Sequence, residues 1–229
     1  MEPSSEQQRS EPMVSIDIVS DVLCPWCVIG YKQLEKALAQ ISPETTVNIN
    51  WQPFQLVPDL PPGGQNTAER IQQKYGMSSE QSAASRQRLT ELGDSLGFDF
   101  NYTEGTRSYN TYNAHQLLHW AGGHGLQTEL KMALFSASFT EHQVIDEIDV
   151  LVKIAESVGL DGDKARDLLD EQIYAEAVDA ISMQWREAGI SSVPGFIFNK
   201  KYLLSGAQEP AAFISCIEKV LADEAEATE

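Results

Sequence analysis

At 229 residues the chain exceeds the usual size of one domain and falls short of two ordinary ones, so it can bury a real core without cross-links. Lys and Arg total 16 against 34 Asp and Glu, a formal charge of −18; this argues against nucleic acid or anionic membrane as a partner, since phosphate binding needs clustered cations. Three cysteines are too few for a disulfide framework, and an odd number cannot all pair within one chain.

Residues 1–12 have neither a basic start nor an apolar core; they read as a disordered tail and not as a secretory signal. No stretch approaches the length of a membrane-spanning helix, and a cytoplasmic location is expected. Val14, Ile16 and Ile18 alternate with Ser15 and Asp17 as a strand does. After a short turn comes Cys24-Pro25-Trp26-Cys27, with Pro25 suited to a first helical position. Ile29, Leu34, Leu38 and Ile41 then recur at helical spacing up to Ser42-Pro43. Thr46–Trp51 alternates again, and strand, helix, strand in this order suggests a parallel βαβ unit.

Residues 57–64 are loop by composition, and no convincing strand follows from Thr67 to about Gly159. Ser78-Ser79-Glu80-Gln81 is a capping box opening a helix through Leu89, Leu92 and Leu96 to Gly97. Further helices are expected over 110–121, over 126–139 (apolar nearly all round) and from Ile148 to Val158, stopped by Gly159. The chain returns near Asp161-Gly162-Asp163. A long helix from about Gln172 to Ala188 presents Ile173, Ala177, Ile181 and Trp185 on one face, with Gly189 at its C-cap. Phe196–Phe198 and Tyr202–Leu204 form a hairpin about Asn199-Lys200-Lys201, and a last helix uses Ala212, Phe213, Cys216, Ile217 and Val220. The best assembly is an α/β mixed sheet whose βαβ and ββα halves are separated by about 100 residues of inserted helices.

Cys24 and Cys27 are either a redox pair or half of a zinc site. Structural zinc wants four ligands, and only Cys216 and four dispersed histidines remain, so no metal is expected. His115 and His119 stand four apart, with Gln116 where a zinc protease carries its Glu; packing or a hydrogen bond is the expected role. Asp21, three residues before Cys24, is a candidate proton relay, although a solvated turn carboxylate is the simpler reading.

Cys24-Pro25-Trp26-Cys27 with Ile29-Gly30, Trp51-Gln52-Pro53-Phe54-Gln55-Leu56, Asn110-Thr111 through Ala114-His115, Val193-Pro194, and Ser205-Gly206-Ala207-Gln208 together resemble the thioredoxin superfamily. The likeness is to its DsbA-like branch, nearest the FrnE-like and 2-hydroxychromene-2-carboxylate isomerase group, and covers residues 13 to about 222. The resemblance implies a thioredoxin fold over 13–64 and 165–225 around a helical domain at 65–164. It also implies a cis peptide before Pro194, which sets the Val193 backbone opposite Cys24 to pair with an extended substrate.

Thiol–disulfide exchange needs an attacking thiolate and a resolving thiol. At the helix start Cys24 faces unpaired N–H groups, so it is assigned as nucleophile and Cys27 as resolving thiol, with Pro25 and Trp26 tuning the potential. The expected activity is a protein thiol–disulfide oxidoreductase or disulfide isomerase. Its partners would be proteins bearing thiols or disulfides, with glutathione or a thioredoxin-type reductant beside them. No bound cofactor is expected; the Cys24–Cys27 pair is the redox group and glutathione a candidate co-substrate. One alternative is a glutathione-dependent small-molecule isomerase or transferase. Relatives of that kind typically carry a single Ser or Cys at position 24, and a carboxylate near Gln208. A redox-inactive, chaperone-like binding protein is the other.

Overall fold

The computed structural model describes residues 13–228, so the expected tail at 1–12 lies outside the described residues. Strand β1 (Met13–Ser20) leads into α1 (Pro25–Leu38) and β2 (Thr46–Pro53). The intervening segment holds β3 (Gln65–Asn66), α2 (Thr67–Tyr75), α3 (Ser79–Leu96), β4 (Arg107–Ser108), α4 (Tyr112–Gly122), α5 (Gln127–Phe139), α6 (Ile148–Ser157), α7 (Gly162–Asp170) and α8 (Ala175–Glu187). The chain closes with β5 (Gly195–Phe198), β6 (Tyr202–Ser205) and α9 (Pro210–Thr228).

The main sheet runs β2-β1-β5-β6. β1 and β2 are parallel, with Ile16 opposite Ile49, and α1 makes the crossover; β5 is antiparallel to β1, with Phe198 opposite Ile16. This is the expected mixed βαβ plus ββα sheet. Val14, Ile16 and Ile18 are wholly buried in one core with Leu34 of α1 and Phe213 and Ile217 of α9. Val19 and Ile197 pack on the opposite face with Phe54 and Ile190. The hairpin turn uses left-handed Asn199 and Lys200, with φ of 44° and 56°, the conformation whose twist suits a tight antiparallel pair.

The inserted helices attach at the free edge of β2. Gln127, at the start of α5, accepts a hydrogen bond from the Trp51 amide at 2.8 Å and donates to the Trp51 carbonyl at 3.1 Å. One side chain thus stands in for a neighbouring strand and covers an edge that would otherwise invite pairing. Trp51 also donates its indole N–H to Thr128.

Several expectations need correction. A two-residue antiparallel ladder joins β3 to β4, and β4 falls inside the stretch read as strand-free; two residues carry no periodic signal. α2 was unread because its sequence, Thr-Ala-Glu-Arg-Ile-Gln-Gln-Lys-Tyr, is polar; Asn66 caps it through the amides of Ala68 and Glu69. The capping box at Ser78 and Gln81 is present, and Gly97 ends α3 in the left-handed region. Asp161 caps a helix, α7, where a return to the sheet was expected, and a boundary at 164/165 falls inside it. The long helix from Gln172 is broken: Gln172 is left-handed at φ 53°, α8 starts at Ala175, and Ile173 stands exposed in the turn.

Gly30 brings α1 close to β5. A Cβ there would stand 3.0 Å from Phe196 Cζ and 3.1 Å from Pro194 Cγ, so any larger residue pushes the helix away from the Pro194 loop. Gly30→Val is expected to lose roughly 1–3 kcal/mol of stability through overpacking, seen as a lower urea midpoint at unchanged slope.

Candidate active site

Cys24 is the N-cap residue of α1 and Pro25 its first helical residue. The turn before it is closed by a hydrogen bond from the Cys24 amide to the Asp21 carbonyl at 3.1 Å, and the Cys27 amide donates to the Cys24 carbonyl at 3.0 Å. Both cysteines are free thiols. Cys24 retains 5 % exposure and Cys27 none, so of the two residues only Cys24 reaches the surface. The Val193–Pro194 peptide is cis, and Cys24 Sγ donates to the Val193 carbonyl at 3.5 Å across 169 residues of sequence. Trp26 is half-buried at the rim of the core. Burial pushes the Cys27 thiol well up, and its hydrogen bond with Cys24 adds to that. Cys27 therefore holds its proton at rest, as a resolving thiol should.

Asp21 is not the solvated turn carboxylate that its position suggested. It is fully buried. Its Oδ1 accepts from Thr111 Oγ1 at 2.8 Å and from the Leu23 amide at 3.3 Å, and its Oδ2 accepts from the Leu56 amide at 2.7 Å. His115 Nε2 stands 3.5 Å from Oδ1, at ion-pair distance but without the direction of a hydrogen bond, so Nε2 has no hydrogen-bond partner among the described residues. Burial alone would raise the Asp21 titration; His115, Leu56 and Thr111 more than offset it and hold the carboxyl below its ordinary value. Burial likewise keeps His115 neutral, against the pull of Asp21.

Two further neighbours escaped the sequence reading. Lys131 on α5 is buried to 1 % exposure, its Nζ 4.9 Å from the Phe135 ring centre and 5.2 Å from that of Trp51. No carboxylate lies within 4 Å of it among the described residues. Burial lowers its titration to about 8, while the charges of Cys27, Asp21 and Cys24 pull the other way. The signal was a lysine set beside Leu130, Leu134 and Phe135 on the buried side of α5. Tyr102 has its phenol raised by burial first and by the charge of Cys24 second. An open groove of about 430 Å³ between Pro58, Leu60 and Pro62 on one side and Asn110, Tyr112 and Asp146 on the other adjoins the segments that clasp Asp21.

The DSBA-like thioredoxin domain matches residues 15–218, and the chain belongs to that family. It is 30% identical over 212 residues to the uncharacterized protein YwbO of Bacillus subtilis (strain 168), spanning 92% of this chain and 97% of that one. A probable DsbA oxidoreductase from Streptomyces coelicolor superposes with a TM-score of 0.86 at 28% identity, over 91% of this chain and 90% of that one. The fold is shared with 2-hydroxychromene-2-carboxylate isomerase (TM-score 0.68, 14% identity, 94% and 100% covered). It is shared too with the cytosolic disulfide reductase DsbM of Pseudomonas aeruginosa (TM-score 0.59, 15% identity, 93% and 98% covered).

A fall in the Lys131 titration from 10.5 to about 8 corresponds to roughly 3 kcal/mol of lost stability at neutral pH. Lys131→Met should therefore melt at higher temperature than the wild type. Acid acts in the opposite sense. His115 is depressed below 6.5 and Asp21 below 3.8; the unfolded chain takes up each proton first. The stability these groups confer is present above those values, and is lost as pH falls below about 6.5 and again below about 3.8, measurable by urea titration at stepped pH.

Proposed function

We propose that this chain is a thiol–disulfide oxidoreductase acting on protein disulfides, with isomerase activity where the substrate carries mispaired bonds. The observation that carries the reading is the disposition of the two sulfurs: Cys24 Sγ at a helix start, 3.5 Å from the Val193 carbonyl, with Cys27 wholly buried behind it. The Cys24 thiolate attacks a substrate disulfide, one substrate sulfur leaves as thiolate, and a mixed disulfide forms on Cys24. Cys27 then loses its proton and attacks Cys24 Sγ; the Cys24–Cys27 bond forms and the second substrate sulfur leaves. The substrate gains two electrons and the dithiol loses them; the reverse sequence oxidises a substrate dithiol. An extended segment pairing with the Val193 backbone would hold the reacting sulfur in line. A cytoplasmic setting suits the odd, sparse cysteines.

Glutathione-dependent chemistry is the second reading. Cys27 weighs against it, because a single nucleophile suffices there. So does Gln208, whose carboxamide turns back on the Ser205 carbonyl at 2.8 Å.

Cys27→Ala blocks resolution and should accumulate a mixed disulfide on Cys24 when mixed with an oxidised protein substrate. Mass spectrometry identifies what is held. A protein adduct supports the first reading and a glutathione adduct alone the second. No adduct with either oxidant would sink both.

A further inference from the structure

The second thiol faces a difficulty that the first does not. Resolution needs Cys27 as a thiolate, yet Cys27 has no exposure and burial holds its proton on. A thiolate formed in such a place needs a fixed counter-charge, because no shell of water is there to supply one.

Lys131 is the only lysine or arginine among the buried described residues. Its place is fixed by packing. Gln127 and Thr128, one turn earlier on α5, hold Trp51 by its backbone and by its indole N–H. Lys131 Nζ then lies 5.2 Å from the centre of that same indole ring. Trp51 packs in turn on Tyr31 of α1, the ring centres 5.0 Å apart. Tyr31 stands four residues after Cys27, on the same face of the helix. Two packed rings therefore join the ammonium to the stripe of α1 that carries the resolving thiol. The interaction is mutual: Cys27 is first among the groups that draw the Lys131 titration up, and Lys131 is the one charge among the described residues that draws the Cys27 thiol down.

We propose that Lys131 is a positioning residue for the exchange, holding a positive charge for the thiolate that forms on Cys27 during resolution and so setting the rate at which the substrate is released. The inference rests on the redox reading above. In that step the Cys27 S–H bond breaks and its proton passes to the buffer. The thiolate forms the Cys24–Cys27 bond, and the substrate sulfur leaves Cys24 with its electron pair. The mixed disulfide already carries the oxidation level, so no oxidant enters, and Lys131 keeps its proton throughout. The groups that act on Lys131 are Cys27 of α1, Cys24 at its cap and Asp21 from the turn after β1. α4 adds His115, which shares a small cavity with Lys131 and is kept neutral by burial. β2 sets the uncharged Trp51 against it, and the buried residues of α6 are all apolar.

The test is stopped-flow release of coloured thiolate from dithiobis-nitrobenzoate by the reduced full chain carrying Cys216→Ala. Attack by Cys24 frees one thiolate and resolution by Cys27 frees the second. Adding Lys131→Met should slow the second phase about tenfold at pH 7, and the first phase much less, in a variant that melts higher than its parent. A second phase slowed less than threefold relative to the first overturns the proposal. So does a lower melting temperature with both phases slowed alike, which marks a packing role. The parent chain carries an independent check that needs no variant at position 131. Lys131 loses its proton near pH 8, so the climb of the second phase with pH should flatten there before resuming, whereas Lys131→Met climbs without a bend. A parent profile without the bend overturns the proposal. Release of only one thiolate by the parent chain overturns instead the redox reading beneath it.

Discussion

The arrangement of this molecule turns on one buried carboxylate. Asp21 has no exposure, and an ionised group there is tolerated only when its lone pairs are filled. Its donors come from separate parts of the chain: Leu23 in its own turn, Leu56 after β2, and Thr111 at the entry to α4. Each charge-assisted bond contributes about 1.5–3 kcal/mol, and loss of any one leaves part of a buried charge uncompensated. The turn that presents Cys24, the loop after β2 and the start of α4 are thereby fixed to one another.

From that constraint the geometry of the thiol pair follows. The Asp21 carbonyl accepts the Cys24 amide, so the residue that ties the helices together also sets where α1 starts. Gly30, one turn beyond Cys27, lets α1 lie against Pro194 and Phe196, which brings the Val193 carbonyl up to the Cys24 sulfur. The face that carries Cys24 is therefore built from both halves of the interrupted sheet. The Gln127 clasp on Trp51 keeps α5, and with it Lys131, over the edge of β2.

The strands, the Cys-x-x-Cys turn and the closing hairpin were readable because their signals are local: alternation, a proline at a helix start, a short apolar pair of strands; the cis peptide at Val193–Pro194 came from the family resemblance. What failed to show was set by partners distant in sequence. Asp21 looked solvated because polar turn residues usually are; its burial depends on Thr111, which is 90 residues away. His115 was expected to pack or hydrogen-bond, and its value lies in the carboxylate it faces. Lys131 was lost in a helix whose apolar character was itself read correctly. The break at Gln172 was hidden because a left-handed glutamine leaves no mark in hydrophobic spacing. Its side chain instead bonds Asn113 and Gln116 on α4, so tertiary contacts and not local preference end the helix there.

These same distant partners bear on what the inserted helices are for. A helical insertion in an α/β sheet can be an independent lid that merely shapes a groove. Here α4 supplies His115, buried 3.5 Å from the Asp21 carboxylate, and α5 supplies the buried Lys131 over the Trp51 and Phe135 rings. A buried lysine without a carboxylate partner costs stability, and a core chosen for stability alone would place an apolar residue at that position. Its retention in a helix otherwise packed with Leu130, Leu134 and Phe135 makes sense if the charge acts on the sulfurs, which its titration senses. The insertion then does more than shape a groove: the sheet domain positions the two thiols, and the helices bring a buried imidazole and a buried cation whose titrations both register Asp21.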